Sequence, residues 1–197
     1  MDYVSSDPIL RQLARLSRRD VADRLHAVRA LAPGRGLHFL DDRSRLKLIE
    51  MAVVPWVLTP VQVAFFGRVV HTLAAALSRL PGLYARHAAV REILPFKEGQ
   101  LSWLGLARHP RSRPLAVIGR LDSTATFAHA DWRRTFRMLE PNTVGVGGVH
   151  YAPAACAVIL DVLGDVLQRA FPGHVLAPTP DPRQLLLEEL LGVARRL

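Results

Sequence analysis

Apolar residues recur at helical spacing over long stretches of the chain, and several stretches begin at a recognisable start signal. Asp7-Pro8 and Thr59-Pro60 each place a capping side chain before a proline, as is common where a helix begins. The first signal predicts one helix, or two helices broken near Ser17, as far as Pro33-Gly34. The second predicts a long helix that ends at Pro81-Gly82.

The C-terminal part of the pattern predicts a β-hairpin followed by two helices. Leu115–Asp122 and Thr135–Glu140 have the composition of strands, and the polar segment between them makes an antiparallel hairpin the simplest pairing. One amphipathic helix is expected from Pro153, and another from Asp181-Pro182 to Leu197.

Two segments give weaker signals. Leu46–Val54 fits a strand or a helix equally well, and Tyr84–Arg113 predicts a short helix and an irregular, basic connection. The whole pattern predicts an α+β fold in which a mainly helical region, residues 1–113, packs on a small sheet. Residues 114–197 would carry the hairpin and the last helices, and the two regions form either separate domains or one continuous domain.

The chain carries a formal charge of +9, from 26 basic and 17 acidic residues, and only two of the basic residues are lysines. Such a bias attracts phosphate polymers. However, no run of five basic residues and no basic–aromatic motif of a nucleic-acid reader is present, and arginine-rich, alanine-rich composition also follows from GC-rich coding sequence. A nucleic-acid partner is therefore the least favoured expectation.

Three features of the sequence favour a cytoplasmic location. The single cysteine, Cys156, cannot form an internal disulfide. The N-terminus begins with an acidic residue, Asp2, and lacks the basic segment followed by an apolar segment that is typical of a signal peptide. The most apolar stretch, Leu48–Phe66, is interrupted by Glu50 and prolines, so no membrane span is expected.

Four polar residues at the ends of the two predicted strands outline a magnesium–nucleotide site. Mg²⁺ prefers oxygen ligands and is usually held by one or two carboxylates, with phosphates and water completing its shell. Asp122, Glu140 and the amide oxygen of Asn142 supply such a set. Because residues i and i+2 of a strand share a face, Glu140 and Asn142 are expected to project together. Arg120 and Asp122 could instead form a simple surface salt bridge.

Other candidate residues follow the second strand. Gly147 and Gly148 could line a pocket with their amides, or could simply form a tight turn, and they match neither the Walker loop nor the dinucleotide fingerprint. His150 and Tyr151 border the same turn, where a structural histidine is the commoner role. No zinc-type histidine and cysteine spacing and no nucleophile elbow is present.

The order of these motifs resembles a known family. An R-x-D strand, an E-x-N strand and a glycine-rich turn are similar to the metal-binding core of the ATP-grasp ligases, and most of all to their circularly permuted, glutathionylspermidine-synthetase-like branch. The resemblance is most specific over residues 114–151 and extends upstream to Pro55–Tyr84. It implies that Asp122, Glu140 and Asn142 ligate Mg²⁺ bridging the phosphates of ATP, while Arg120 steadies the transferred phosphoryl group.

The resemblance implies an ATP-dependent carboxylate–amine ligase that forms an acyl-phosphate intermediate. In that branch the lysines that hold the nucleotide follow the E-x-N strand, whereas here the only lysines, Lys47 and Lys97, precede it. The expectation is therefore a fragment of an enzyme that lacks a C-terminal lobe, or a chain that has lost half its nucleotide site. Self-association is expected, and a non-catalytic binding module of the same fold is the main alternative.

Overall fold

A computed structural model describes residues 3–107, 119–142, 147–178 and 180–195, with the backbone alone for 103–107. The elements in chain order are α1 (Asp7–Leu13), α2 (Arg18–Leu31), a 3-10 turn (Pro33–Arg35), β1 (His38–Leu40), β2 (Leu46–Leu48), α3 (Pro60–Arg86), α4 (Ala88–Ile93), α5 (Glu98–Ala107), β3 (Arg120–Thr124), α6 (Trp132–Thr135), β4 (Arg137–Asn142), α7 (Tyr151–Ala170) and α8 (Pro182–Ala194). This helix-rich arrangement with two small antiparallel sheets confirms the predicted α+β class.

Helix α7 is the centre of the core. One cluster of buried side chains joins it to α1, and a second joins it to α2 and the segment after α2; the two clusters contain Ile9, Ile159, Leu163, Val166, Leu167 and Phe171, and Val28, Ala32, Leu37 and Val158. Ion pairs border this interface, because Arg24 contacts Asp165 at 2.7 Å and Arg35 contacts Asp161 at 2.6 Å. Apolar burial therefore holds the N-terminal helices against α7, and the ion pairs fix their alignment.

The first helical stretch is two helices, because Ser17 caps the second. The Ser17 side chain accepts a hydrogen bond from the backbone N–H of Asp20, and the Asp20 carboxylate accepts one from the backbone N–H of Ser17. This reciprocal capping requires an extended backbone at Ser17, with φ −65° and ψ 158°. The chain cannot continue α1 through that conformation.

The predicted end of α3 at Pro81-Gly82 is wrong, since the helix continues to Arg86. Proline removes one hydrogen bond and its ring crowds the carbonyl of the preceding turn, and contacts in the last turn offset that cost. Tyr84 is buried against Phe96, with ring centroids 4.8 Å apart. Arg91 Nη1 donates to the carbonyls of Tyr84 and Ala85, at 2.8 and 3.1 Å, which satisfies acceptors that the helix end leaves open.

Several other predicted boundaries shift. The undecided segment from Leu46 forms β2, which pairs with β1, and Tyr84–Arg113 contains α4 and α5 in addition to the end of α3. Helix α7 begins at Tyr151, two residues before Pro153, which occupies its first turn. Asp181 caps α8 as expected by accepting from the Arg183 N–H, and the helix ends at Ala194.

The predicted hairpin forms, but its strands are displaced along the chain. The first part of the predicted strand, residues 115–118, lies outside the described residues, and β3 instead runs on to Thr124. Thr135 belongs to α6, where its hydroxyl donates to the Trp132 carbonyl and accepts from the Thr126 N–H. These side-chain hydrogen bonds favour a helical turn over an early start of β4.

An aromatic cluster holds this hairpin region against the start of α3. Phe65 packs edge-to-face on Trp132, with ring centroids 5.0 Å apart, and on Phe136 at 5.7 Å. Gln62 is fully buried and donates from Nε2 to the carbonyl of Phe127 at 2.9 Å. The cluster and this hydrogen bond position the segment between β3 and β4.

Two of the described helices, α3 and α7, are long and apolar enough to cross a membrane by length and composition alone. The apolar residues of α7 form the core described above. In α3 only Gln62 and Tyr84 are buried. The expectation of a cytoplasmic chain without a membrane span stays a prediction.

Candidate metal centre

All four candidate site residues lie on the β3–β4 hairpin and face one another. Arg120 is opposite Asn142 in the antiparallel register, and Asp122 is opposite Glu140. Since alternate residues of a strand share a face, this register places the four side chains on one face of the hairpin. The sequence therefore identified both the residues and their neighbourhood, although it misjudged the strand ends.

The Asn142 side chain lies between the two carboxylates. Its Nδ2 is 3.1 Å from Asp122 Oδ2 and 3.1 Å from Glu140 Oε1, and it donates a hydrogen bond to each. Arg120 contacts the same aspartate, with Nε 2.7 Å from Oδ1 and Nη2 3.3 Å from Oδ2. Asp122 is thus the centre of the cluster.

The electrostatics of the cluster follow from these contacts. The hydrogen bond from Arg120 holds the pKa of Asp122 below its ordinary value, and the hydrogen bond from Asn142 acts in the same direction. Asp122 in turn raises the pKa of Arg120, with a smaller contribution from the charge of Glu140. Both groups are therefore charged at neutral pH. The Asp122 side chain is 33% exposed and that of Arg120 is 50% exposed, so an ion can reach them from solvent.

The donor set fits a hard cation. Neighbouring oxygens in an octahedral Mg²⁺ shell are about 3 Å apart, given metal–oxygen distances of about 2.1 Å. The Asn142 amide lies at that spacing from both carboxylates, and turning the amide over would present its oxygen in place of its nitrogen. Within the described residues no group of three or more His, Cys, Asp or Glu side chains is placed to bind a metal. The candidate centre consists of two carboxylates and one amide.

The Arg120–Asp122 ion pair is the main competitor for a metal. An exposed ion pair contributes only ~0–1 kcal/mol, and a divalent ion carries a larger charge than the guanidinium. Displacement of the guanidinium from Asp122 is therefore energetically accessible. It would also free Arg120 to bind an anion.

The glycine turn contributes a backbone carbonyl to the site, and a pocket lined by its amides stays a prediction. The Gly147 carbonyl accepts a hydrogen bond from Arg120 Nη1 at 3.2 Å, so this residue anchors the arginine through its backbone oxygen. Gly148 has φ +70°, and a Cβ there would lie 2.7 Å from a ring carbon of Tyr151. The geometry thus gives Gly148 a structural reason to be glycine.

His150 and Tyr151 tie this turn to the N-terminal half of the chain. His150 Nε2 is 3.1 Å from the Gly36 carbonyl oxygen, and the Tyr151 hydroxyl donates to the His38 carbonyl at 3.2 Å. Both side chains therefore have structural partners. The backbone acceptor role of Gly147 was missed from the sequence, because a carbonyl group is common to every residue and leaves no signal.

Comparison of the chain with models of protein families, with curated proteins and with solved structures finds no match.

Proposed function

We propose that the β3–β4 hairpin binds Mg²⁺ and nucleotide phosphates as part of an ATP-dependent carboxylate–amine ligase of the ATP-grasp type. The observation that supports this most directly is the position of Asn142, 3.1 Å from both Asp122 and Glu140. With its amide turned over, Asn142 would present its oxygen to the same position, at the spacing of neighbouring Mg²⁺ ligands. The resemblance of the R-x-D and E-x-N motifs to ATP-grasp ligases supplies the choice of nucleotide and reaction class.

Each residue has a distinct role in this proposal. Asp122, Glu140 and Asn142 hold the cation, and Arg120 binds an oxygen of the transferred phosphoryl group through its guanidinium. The bound Mg²⁺ would neutralise the phosphate charge that develops when a carboxylate is phosphorylated to an acyl phosphate. The Gly147 carbonyl keeps the arginine beside the site by accepting from its second amino group.

The nucleotide also needs cations for its phosphates and groups that enclose its adenine. The lysines of the chain, Lys47 and Lys97, both precede the hairpin in sequence. We therefore propose that the isolated 197-residue chain binds ATP weakly and does not catalyse ligation, and that full activity requires groups supplied by another lobe.

The alternative is a non-catalytic module in which the same four residues only stabilise the hairpin. One observation favours it. Asp122 already accepts hydrogen bonds from Arg120 and Asn142, and these contacts stabilise its negative charge without a metal. In that case the hairpin would bind no divalent ion with or without nucleotide.

Titration with Mn²⁺, which replaces Mg²⁺ in such sites and is visible by electron paramagnetic resonance, distinguishes the two functions. We expect weak Mn²⁺ binding by the chain alone. With ATP present we expect a spectrum that differs from that of the protein-free Mn²⁺–ATP complex, because the phosphates complete the shell of a metal held by the hairpin. Spectra that match protein-free Mn²⁺ and protein-free Mn²⁺–ATP at every protein concentration would contradict the metal site and favour the alternative.

A further inference from the structure

Helix α8 presents an apolar stripe that no described part of the chain buries. Leu187, Leu190, Leu191 and Ala194 follow the i, i+3, i+4, i+7 spacing that places side chains on one face of a helix. The three leucines are 57%, 49% and 47% exposed, and none of the residues of α8 is buried. Glu188 borders the stripe, whereas Glu189 lies on the opposite face of the helix. Such a face is typical of a helix that binds in an apolar groove.

A groove of matching character lies between α2 and the segment from Lys47 to Val53. Its volume is about 610 Å³, and its floor is apolar, formed mainly by Leu25, Val28, Met51 and Val53. An apolar recess of about 110 Å³ continues from the same floor toward Leu163. The groove is therefore open to solvent at its mouth and apolar below, as a helix-binding site must be.

The rim of the groove is basic. Arg29 and Lys47 border it, both are exposed, and neither forms an ion pair among the described residues. Glu50 also lies on the rim, so the net charge of the three groups is +1. This charge is opposite to that of Glu188, beside the leucine stripe. Opposite charges at the edges of an apolar contact select the partner and its orientation.

We propose that α8 of one copy docks in the α2 groove of a second copy, with the leucine stripe on the groove floor and Glu188 toward Arg29 and Lys47. Reciprocal exchange places each α8 in the other copy's groove. The two contacts are then related by a twofold axis, which closes the assembly as a dimer.

Sedimentation velocity of the full chain over a range of concentrations tests this dimer. The wild-type chain should sediment as a dimer, and the double variant Leu187→Gln, Leu191→Gln as a monomer. Leu185→Gln is the matched control, because Leu185 is also 57% exposed but lies on the opposite face of α8, and it should remain dimeric. Circular dichroism should show unchanged helix content in all of these variants.

A charge exchange tests the orientation without changing the leucines. Glu188→Lys and Arg29→Glu should each weaken the dimer several-fold, and the two together in one chain should restore part of the loss. A monomeric wild type, larger open assemblies, a dimer that withstands the two leucine substitutions, or the lack of any restoration in the double charge variant would each overturn the proposal.

Discussion

Asp122 lies directly opposite Glu140 in the antiparallel register of the β3–β4 hairpin. Two like charges directly opposite each other on one face destabilise a sheet. In this hairpin Asn142 donates to both carboxylates, and Arg120 pairs with one of them. These contacts offset the repulsion between the two carboxylates, and a bound cation would offset it further.

Replacing Glu140 should separate binding from folding. Glu140→Ala removes a proposed ligand, so we expect the protein to lose its effect on the spectrum of the Mn²⁺–ATP complex. The substitution also removes the repulsion from Asp122. The free energy of unfolding should stay within about 0.5 kcal/mol of wild type, as for other exposed positions. Mn²⁺ titration and urea denaturation measure the two effects. Glu92→Gln, an exposed carboxylate on α4, should change neither. Unchanged Mn²⁺ binding in Glu140→Ala would remove Glu140 from the ligand set.

The two neighbouring glycines should respond differently to alanine. Gly148→Ala forces a Cβ to within 2.7 Å of the Tyr151 ring at φ +70°, and a strained residue of this kind costs about 1–3 kcal/mol. Gly147→Ala meets nothing within 4 Å and should be tolerated. Chemical denaturation of both variants checks the difference. Equal stabilities would show that the turn relaxes to accept the side chain.

The adjacent residues Ile9 and Leu10 test the contact between α1 and α7. Ile9 is fully buried in the cluster with Leu163 and Val166, whereas Leu10 is 49% exposed. Ile9→Ala should lower the free energy of unfolding by about 2–5 kcal/mol, and Leu10→Ala by less than about 0.5 kcal/mol. Thermal or urea unfolding followed by circular dichroism is the measurement. A similar loss in the two variants would mean that α1 does not pack as described.

The free energy of unfolding should fall in acid because the Asp165 carboxylate becomes protonated. Hydrogen bonds from Arg24, followed in effect by that from Arg169, lower the pKa of this carboxyl from 3.8 to about 2. A pKa lowered by folding stabilises the chain above the unfolded value, and this contribution is lost as the pH falls from about 4 to about 2. Because the side chain is 46% exposed, solvent screening reduces the effect to about 1 kcal/mol.

Asp165→Asn is the variant that isolates this contribution. The difference in unfolding free energy between wild type and Asp165→Asn should be present at pH 5 and should shrink toward pH 2. Asp23→Asn, at a 72% exposed aspartate whose oxygen is 3.8 Å from Arg19, is the control and should show little difference at any pH. If the difference in unfolding free energy between wild type and Asp165→Asn does not change with pH, the substitution acts through altered packing and not through the carboxylate charge.

The sequence by itself predicted the starts of α3 and α8 and the shared face of two candidate site residues. Thr59 and Asp181 are capping residues whose side chains bond to the backbone a few positions away, and such contacts depend only on the local sequence. The shared face of Glu140 and Asn142 follows from the two-residue period of a strand. Neither inference needed a distant part of the chain.

The tertiary structure decided what depends on distant partners. Helix α3 passes Pro81 because Phe96 and Arg91 stabilise its last turn. The conformation of Gly148 is matched to the Tyr151 ring, and Tyr151 in turn is held by the His38 carbonyl, 113 positions away in sequence. Sequence patterns record the period of an element and its local hydrogen bonds. They do not record which remote side chain offsets a lost backbone bond, because that energy arises only when the two segments are packed together.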